Sequence, residues 1–336
     1  MRQERTAGRT ERGTESPQGM LAAARRILGR IRGEKRPWRA RDTLLGLFAG
    51  AVTVLFLGHG LVPNPLGIGT LLDSVIPWLG VLPVLALVPA LLGRCRATGL
   101  LLVPVLVWAL VFGRSLPADG ASGEGHLEVV TQNLYADNRE PEVTLRQLAR
   151  TGSDLVGLQE VTNGDREEVT EILGSEYPHH ASVGTVGLWS RYPLSEVRTV
   201  DLGLGWGRAL RATVRTPEGV TAVYTVHLPS LRPDLVERRD RALERLAEAV
   251  RGERIRRVVL LGDLNTAGTD RALDTLTGVL PARAASATNG FGFTWPAGFP
   301  VVRLDHVLAR AMRPVTSEVL DTSGSDHRAV RTTLTY

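Results

Sequence analysis

Three long apolar runs near the start of the chain constrain its fold more than any other feature. They cover residues 44–62, 71–92 and about 97–113, and Asp73 is the one acidic residue within them. About 20 apolar residues cross the hydrocarbon core of a bilayer, so the first two runs fit well and the third is just long enough. Their prolines would break soluble helices but are tolerated in membrane helices. We therefore expect three transmembrane helices over these residues.

The distribution of basic residues predicts how these helices are oriented. Residues 1–42 hold 12 Lys/Arg against 5 Asp/Glu, and the loop after the second run contains Arg94 and Arg96. Both segments are expected in the cytoplasm, because basic loops stay on that side. We expect 1–42 to be a disordered tail, in which 22–31 forms either a basic amphipathic helix on lipid or part of a solvated segment. After three crossings, a linker at 115–125 and the domain at 126–336 lie outside the cytoplasm.

The charge of this domain restricts its partners. Residues 118–336 contain 25 Lys/Arg and 29 Asp/Glu, so the high pI of the whole chain comes from the N-terminal part. Duplex DNA is usually bound by a strongly basic surface, so a nucleic acid is not the expected partner.

Cys95 is the only cysteine and lies outside the domain, which excludes a disulfide within one chain.

Residues 126–336 contain alternating strand and helix patterns. Strands are predicted at 126–134, 154–161, 183–189, 207–215, 220–228, 258–261, 303–309, 314–320 and 328–335, and helices at 140–152, 165–173, 233–250 and 269–280. The arginine-rich face of the helix at 233–250 is predicted to be solvated and paired with nearby acids. His179 and His180 are predicted in a surface turn.

The segment 258–265, VVLLGDLN, is a buried strand that ends in two polar residues. Asp263 and Asn265 point to the same side of an extended chain, and ligands bind at strand ends in open α/β sheets. Asp263 is able to accept a proton or hold a metal, and Asn265 is able to donate to an anionic oxygen. A turn in which both side chains bind the backbone is an equal alternative for this segment alone.

Polar residues occur at the ends of several other predicted strands. They are Thr131-Gln132-Asn133, Glu160 after the run 154–159, His227 in 224–228, Arg303-Leu304-Asp305-His306, and Ser325-Asp326-His327. In this order, the motifs resemble the endonuclease/exonuclease/phosphatase superfamily, which includes DNase I, abasic-site endonucleases, sphingomyelinases and inositol-phosphate phosphatases. The resemblance covers 125–336. It implies an α/β fold of the DNase I type, a two-sheet, four-layer α/β sandwich, here preceded by three transmembrane helices.

The resemblance also implies roles for these residues in metal-assisted phosphoester hydrolysis. Glu160, Asn133 and Asp326 match the metal site, for which Mg²⁺ or Mn²⁺ is expected because hard cations prefer carboxylate and amide oxygens. Asp263 matches the residue that positions or deprotonates water, and Asn265 matches a donor to a phosphate oxygen. His227 and His327 match the paired histidines, and Asp305 matches the carboxylate that orients His327.

The remaining predictions concern residues next to these motifs. No acid lies between Glu176 and Glu196 to orient His227, as happens in some relatives, so its partner is open. His306 is expected to point away from the site, because it alternates with Asp305. Trp295 is predicted either at the substrate rim or in the core. For Arg208 and Arg211, contacts to a second phosphate are possible, but strand salt bridges are favoured.

The expected function combines the anchor with this site. We expect a membrane-anchored, metal-dependent phosphoesterase with an extracytoplasmic active site, whose partner is a membrane lipid or lipid-linked phosphate such as an envelope precursor. The layout also resembles VanJ-type membrane proteins associated with teicoplanin and vancomycin resistance, which implies a role in cell-wall precursor metabolism or glycopeptide resistance. An extracytoplasmic nuclease and a non-catalytic envelope-binding module are the alternatives. The oligomeric state is left open.

Overall fold

The computed structural model describes residues 37–113 and 127–336. The helix predicted at 22–31, the linker predicted at 115–125 and most of the predicted tail lie outside the described residues. The first described helix begins at Ala40, so the last residues of the predicted tail belong to that helix.

Four α-helices make up the described N-terminal part. They are α1 (Ala40–Gly58), α2 (Ile68–Val75), α3 (Val81–Leu92) and α4 (Leu102–Phe112). With their 3₁₀ extensions, the segments Ala40–Leu61 and Pro65–Leu92 are long and apolar enough to cross a membrane, whereas Arg96–Phe112 is shorter. The first two predicted spans therefore agree with the structure in length and composition, and the third is below that length.

The apolar segments run in alternating directions. At one end, Asp42 Oδ1 accepts a hydrogen bond from the backbone N–H of Arg96 at 2.6 Å, which joins the start of α1 to the turn before α4. At the other end, Phe56, Ile76 and Phe112 share one apolar cluster. The end of α1, the start of the second segment and the end of α4 therefore lie together.

Residues 127–336 form two six-stranded sheets. The first has the order β11-β12-β1-β2-β4-β3 and the second the order β5-β6-β7-β8-β10-β9. The pairs β1–β2 and β7–β8 are parallel, and the other neighbours are antiparallel. The strands are β1 (Leu127–Asn133), β2 (Leu155–Gln159), β3 (His179–Val183), β4 (Val186–Ser190), β5 (Leu194–Thr199), β6 (Ala209–Thr216), β7 (Gly219–His227), β8 (Val258–Asp263), β9 (Ala282–Arg283), β10 (Asp305–Arg310), β11 (Arg313–Leu320) and β12 (Ala329–Thr335).

The sheets pack face to face with helices outside. Alternate side chains, such as Val129 and Leu188 of the first sheet and Val259 and Leu261 of the second, form the central core. The outer face of the first sheet packs against α5 (Pro141–Ala149) and α6 (Asp165–Leu173), and that of the second against α7 (Val236–Arg251). The predicted two-sheet α/β sandwich with four layers is confirmed.

Some local predictions were wrong. His179 and His180 lie in β3, where a turn was predicted, although His180 is exposed at the surface as expected, and its ring stacks on Trp189. The helix predicted at 269–280 is only a 3₁₀ turn, Arg271–Leu273, followed by the one-turn helix α8, Asp274–Thr277. Strands β5 and β9 were not predicted, because β5 is exposed and β9 has two residues.

The arginine-rich face of α7 is also not wholly solvated. The Arg239 side chain is completely buried, and its Nη1 lies 3.0 Å from Asp270 Oδ2. Its Nη2 also donates to Asp240 Oδ1 at 2.6 Å. The prediction failed because Asp270 is distant in sequence and periodicity alone does not reveal such a buried partner.

The apolar helices dock against the two-sheet domain through polar and aromatic contacts. The buried carboxylate of Asp73 lies 2.7 Å from Arg271 Nε and 2.7 Å from His59 Nδ1. Trp78 Nε1 donates to Val301 O at 2.7 Å, and its ring stacks on Phe293. These contacts explain why one apolar run contains an acid.

Candidate active site

The site lies where strands of both sheets end. Parallel pairing brings Asn133, at the end of β1, beside Gln159, and it brings His227, at the end of β7, beside Asp263. Antiparallel pairing places Asp305, the first residue of β10, opposite Asp263. The predicted catalytic residues are therefore brought together by strand register, as expected for a ligand site at strand ends.

Backbone geometry at these strand ends is specialised. Gly262 has φ = 148°, and a Cβ atom there would lie 1.9 Å from Val226 O, so only glycine permits this close pairing of β8 with β7. Glu160 and Asn265 have φ values of 57° and 46°, in the left-handed region that non-glycine residues seldom adopt. Such conformations concentrate at functional sites, where the surrounding structure holds them.

Asp263 occupies the centre of the cluster. Its Oδ1 accepts from the Asn265 backbone N–H at 2.9 Å, and its Oδ2 accepts from the amide groups of Asn265 and Asn133 at 3.0 and 3.1 Å. Burial raises the pKa of Asp263 to about 7, against the opposing effect of His327. Asp263 is therefore poised to exchange a proton near neutral pH. The second donor of the Asn265 amide goes to Leu228 O, so in this arrangement Asn265 positions Asp263.

His327 and Asp305 form the predicted pair. His327 Nδ1 lies 2.8 Å from Asp305 Oδ2, and His327 Nε2 lies 3.9 Å from Asp263 Oδ2. Burial disfavours the charged imidazole, but Asp305 and Asp263 together raise the pKa of His327 to about 10. His327 is therefore a cation at neutral pH, oriented by Asp305 and directed toward Asp263.

Glu160 and Asn133 lie on the other side of Asp263. Asn133 Nδ2 donates to Glu160 Oε1 at 3.0 Å, while Asn133 Oδ1 accepts from the backbone N–H of Tyr135 at 2.9 Å. The Glu160 side chain is 26% exposed, so it is the member of the cluster most open to solvent. Asp326 lies at the rim, where its Oδ2 accepts from Trp295 Nε1 at 3.2 Å.

The donor set fits a hard divalent cation on the Glu160 side. Oxygen atoms of Asp263 and Asp305 and a ring nitrogen of His327 also lie within 4.8 Å of one another. However, both ring nitrogens of His327 face carboxylates, Nδ1 toward Asp305 at 2.8 Å and Nε2 toward Asp263 at 3.9 Å. The Glu160 carboxylate provides the oxygen ligand that Mg²⁺ and Mn²⁺ prefer and is open to solvent, so the Glu160 side is the better candidate for the metal.

The structure identifies Arg208 as the partner of His227. Arg208 Nη2 lies 2.7 and 2.9 Å from the two ring nitrogens of His227, and the guanidinium lies over the Trp206 ring. Burial and then the charges of Arg208 and His327 hold the pKa of His227 well below its ordinary value, so His227 is neutral. The sequence favoured a salt bridge for Arg208. Among the described residues, it forms no ion pair within 4.0 Å.

The other assignments near the site have clear outcomes. Arg211 forms the predicted salt bridges, with Glu196 at 3.0 Å and Glu253 at 2.9 Å. His306 points away from the cluster, as predicted, with Nε2 lying 2.9 Å from Thr266 O. Trp295 is partly exposed and contacts Asp326, which places it at the rim and not in the core.

A family model described as "Endonuclease/Exonuclease/phosphatase family" matches residues 130–327, more than half of the chain. The chain belongs to this family. The match includes Asn133, Glu160, Asp263 and His327, and the family is generally hydrolytic. No curated protein matches the chain.

Solved structures with the same fold are similar over the catalytic domain. D. rerio TDP2 complexed with a single-strand DNA product has 18% identity and a TM-score of 0.53, covering 62% of this chain and 99% of its own. A double mutant of beta toxin from Staphylococcus aureus with bound magnesium ions has 14% identity and a TM-score of 0.52, covering 62% and 99%. An endonuclease/exonuclease/phosphatase from Bacteroides vulgatus has 17% identity and a TM-score of 0.52, covering 62% and 98%. These similarities show the fold.

Proposed function

We propose that the protein is a membrane-anchored, divalent-metal-dependent phosphoesterase whose active site faces a membrane surface outside the cytoplasm. The observation that carries this proposal is the cluster in which the partly exposed Glu160 lies beside buried Asp263 and the buried Asp305–His327 pair. It combines a site for a hard cation, a carboxylate with a pKa of about 7 and an oriented imidazolium. These are the groups that phosphoester hydrolysis requires: a charge-neutralising site, a base and a cationic donor.

Each residue of the cluster has a separate role in the proposed reaction. A Mg²⁺ or Mn²⁺ ion held by Glu160, with Asp326 at the rim as a further predicted ligand, would act as a Lewis acid for phosphoryl oxygens. Asp263 takes a proton from the attacking water, and Asn265 with Asn133 keeps its carboxylate in place. His327 donates to the oxygen on which negative charge develops, with Asp305 fixing the ring. Neutral His227 lies on the Glu160 side, with Nε2 3.6 Å from both Glu160 Oε1 and Asp263 Oδ2, and cationic Arg208 contacts its ring.

Docking of the apolar helices supports a substrate at the membrane. The end of α1 and the start of the second apolar segment contact the catalytic domain through His59, Asp73 and Trp78. The turn at Arg96 lies at the opposite end of the helices, beside the start of α1. If these helices cross a bilayer, the domain lies against the membrane surface opposite the basic segments. A lipid phosphate or pyrophosphate would then reach the site without leaving that surface.

The proposal is tested by hydrolysis with the full chain reconstituted in lipid vesicles. The substrates are isoprenoid pyrophosphates, phospholipids and DNA, each with Mg²⁺, with Mn²⁺ and with EDTA. We expect phosphate or phosphoester release from a lipid substrate that depends on the metal. Isoprenoid pyrophosphates are the first substrates to test, because the arrangement of apolar segments followed by this domain resembles that of glycopeptide-resistance membrane proteins. Preferred cleavage of DNA would indicate the nuclease, and the lack of any hydrolysis would indicate a binding module.

A further inference from the structure

A cavity of about 480 Å³ lies where the apolar helices meet the catalytic domain. Pro77 and Phe112 of the helices line one side, and Phe291, Phe293 and Arg303 of the catalytic domain line the other. None of the predicted catalytic or metal-binding residues lines this cavity. It is therefore a separate site, and it is shared between the two parts of the chain.

Arg303 gives this cavity an unusual buried positive charge. The residue is only 3% exposed, and its Nη1 donates to Thr288 Oγ1 at 3.1 Å. Its Nε and Nη2 are buried and have no hydrogen-bond acceptor among the described residues. Burial lowers the pKa of Arg303 to about 10, so the guanidinium remains charged at neutral pH. A buried cation with unpaired donors is costly, and an anion that reaches it would remove that cost.

The remaining walls of the cavity indicate what kind of anion fits. Arg283 adds a second cation, and no Asp or Glu lines the cavity among the described residues. Val111, Phe112, Phe291 and Phe293 provide an apolar wall beside these two arginines. Guanidinium groups bind phosphate oxygens in a forked geometry, whereas an apolar wall contributes nothing to a free inorganic anion. The combination suits an amphiphile with a phosphate head and hydrocarbon chains.

We propose that this cavity binds the phosphate headgroup of an anionic membrane phospholipid at Arg303, with the chains beside Phe112 and the apolar helices. Because the cavity is lined from both sides, the bound lipid contacts the helices and the catalytic domain together and stabilises their docking. Basic pockets beside membrane helices bind lipid headgroups by the same physics. This inference rests on the membrane placement in the proposed function, but it does not depend on the proposed hydrolysis.

The test measures lipid retention by the full chain. The protein is purified in neutral detergent, exposed to phosphatidylglycerol or phosphatidylcholine, and examined by native mass spectrometry. We expect one retained phosphatidylglycerol, favoured over phosphatidylcholine by about tenfold, because both lipids carry the phosphate but the choline cation is repelled by Arg303 and Arg283. Arg303→Met should remove this preference. Ser286→Trp, which fills the exposed edge of the cavity and leaves Arg303 intact, should remove the retained lipid.

Two control variants show whether lipid retention depends on this cavity and not on surface charge or on catalysis. Arg256→Gln removes an exposed arginine that does not line the cavity, and it should retain the lipid. His327→Ala should retain the lipid while losing hydrolysis, so a failure of the proposed reaction does not affect the lipid site. Equal retention of both lipids, or unchanged retention in Ser286→Trp, would overturn the lipid site even if hydrolysis is normal. Displacement of the lipid by inorganic phosphate alone would also overturn it, since the apolar wall would then contribute nothing.

Discussion

Glu160 is the residue on which metal binding depends most directly. Its carboxylate is more exposed than those of Asp263 and Asp305, and it lies beside the Asn133 amide. Glu160→Gln keeps the size of the side chain and removes the charge that balances a cation. We expect hydrolysis to fall by at least about tenfold, with partial recovery at high Mg²⁺ concentration, because a charged ligand contact is lost. Initial rates across a metal titration measure this.

The control for this change is Glu171→Gln, which removes an exposed carboxylate from α6 and should leave both the rate and the metal dependence unchanged. If Glu160→Gln had the same metal dependence and rate as the control, Glu160 would not be a metal ligand.

His327 and Asp305 are predicted to act as one unit. His327→Ala removes a donor that matters most when charge develops in the transition state, so kcat should fall while KM changes little. The loss of one preorganised donor typically costs on the order of 10²–10³ in kcat. Asp305→Asn should act through the same ring, so the double variant should be little worse than His327→Ala. Steady-state kinetics of all three variants measure this, and fully multiplicative losses would show that the residues act independently.

The same pair predicts how stability depends on pH in metal-free protein. The pKa of His327 is raised from 6.5 to about 10, so protonation is favoured in the folded state. Its stabilising contribution is therefore fully present below pH 6.5 and is lost as the pH rises through 10. The difference in Tm between the wild type and His327→Gln should shrink over that range, as measured by thermal unfolding in EDTA. A constant difference would mean that His327 is not a stabilised cation.

At the scale of the secondary-structure elements, the 3₁₀ turn Arg271–Leu273 connects the catalytic domain to the helices. Arg271 binds the buried Asp73 carboxylate, and its Nη1 also donates to Gly60 O and Val62 O, both at 2.6 Å. Removal of one partner leaves a buried charge poorly compensated. Arg271→Ala should therefore lower Tm by several degrees. Hydrolysis of a membrane-bound substrate should also fall, because the turn holds the domain against the helices.

Hydrolysis of a small soluble phosphodiester measures the activity of the site independently of how the domain docks on the apolar helices. Arg271→Ala should leave that activity nearly unchanged, since Arg271 contacts none of the catalytic cluster in the described structure. Arg313→Ala removes an exposed arginine of β11 and serves as the matched control for both substrates. Equal losses on both substrates would show that Arg271 supports the fold of the domain and not its docking.

At the scale of the whole molecule, the contacts predict on which side of a membrane the domain lies. The end of the first apolar segment and the loop after it contact the domain through Gly60 and Val62, whereas Arg94 and Arg96 follow the second segment at the far end. Basic loops stay in the cytoplasm, so the domain should be outside it. A reporter that is active only outside the cytoplasm should be active when fused after Tyr336. Activity of a cytoplasm-only reporter at that position would reverse the topology and remove the envelope lipid from the candidate substrates.

Local information in the sequence was sufficient for nine of the twelve strands, for the helices α5, α6 and α7, for the two longest apolar segments and for the residues at the strand ends. Periodicity and turn residues report the conformation of neighbouring residues, so the strand at 258–263 and the helix at 165–173 could be predicted directly. The positions of Asp263 and His227 followed, because each stands at the end of a predicted strand.

Tertiary structure alone decided which distant polar groups meet. Asp73 pairs with Arg271, Arg239 with Asp270, and Arg208 with His227 across two neighbouring strands. The residues next to each of these arginines in the sequence are compatible with either an exposed or a buried position. The local sequence pattern therefore does not distinguish a solvated charge from a buried one. The energy of such a charge depends on its desolvation and on partners brought near by strand register and helix docking. Desolvation and proximity are properties of the folded chain. For that reason the Arg208–His227 and Asp73–Arg271 contacts were found only in the structure.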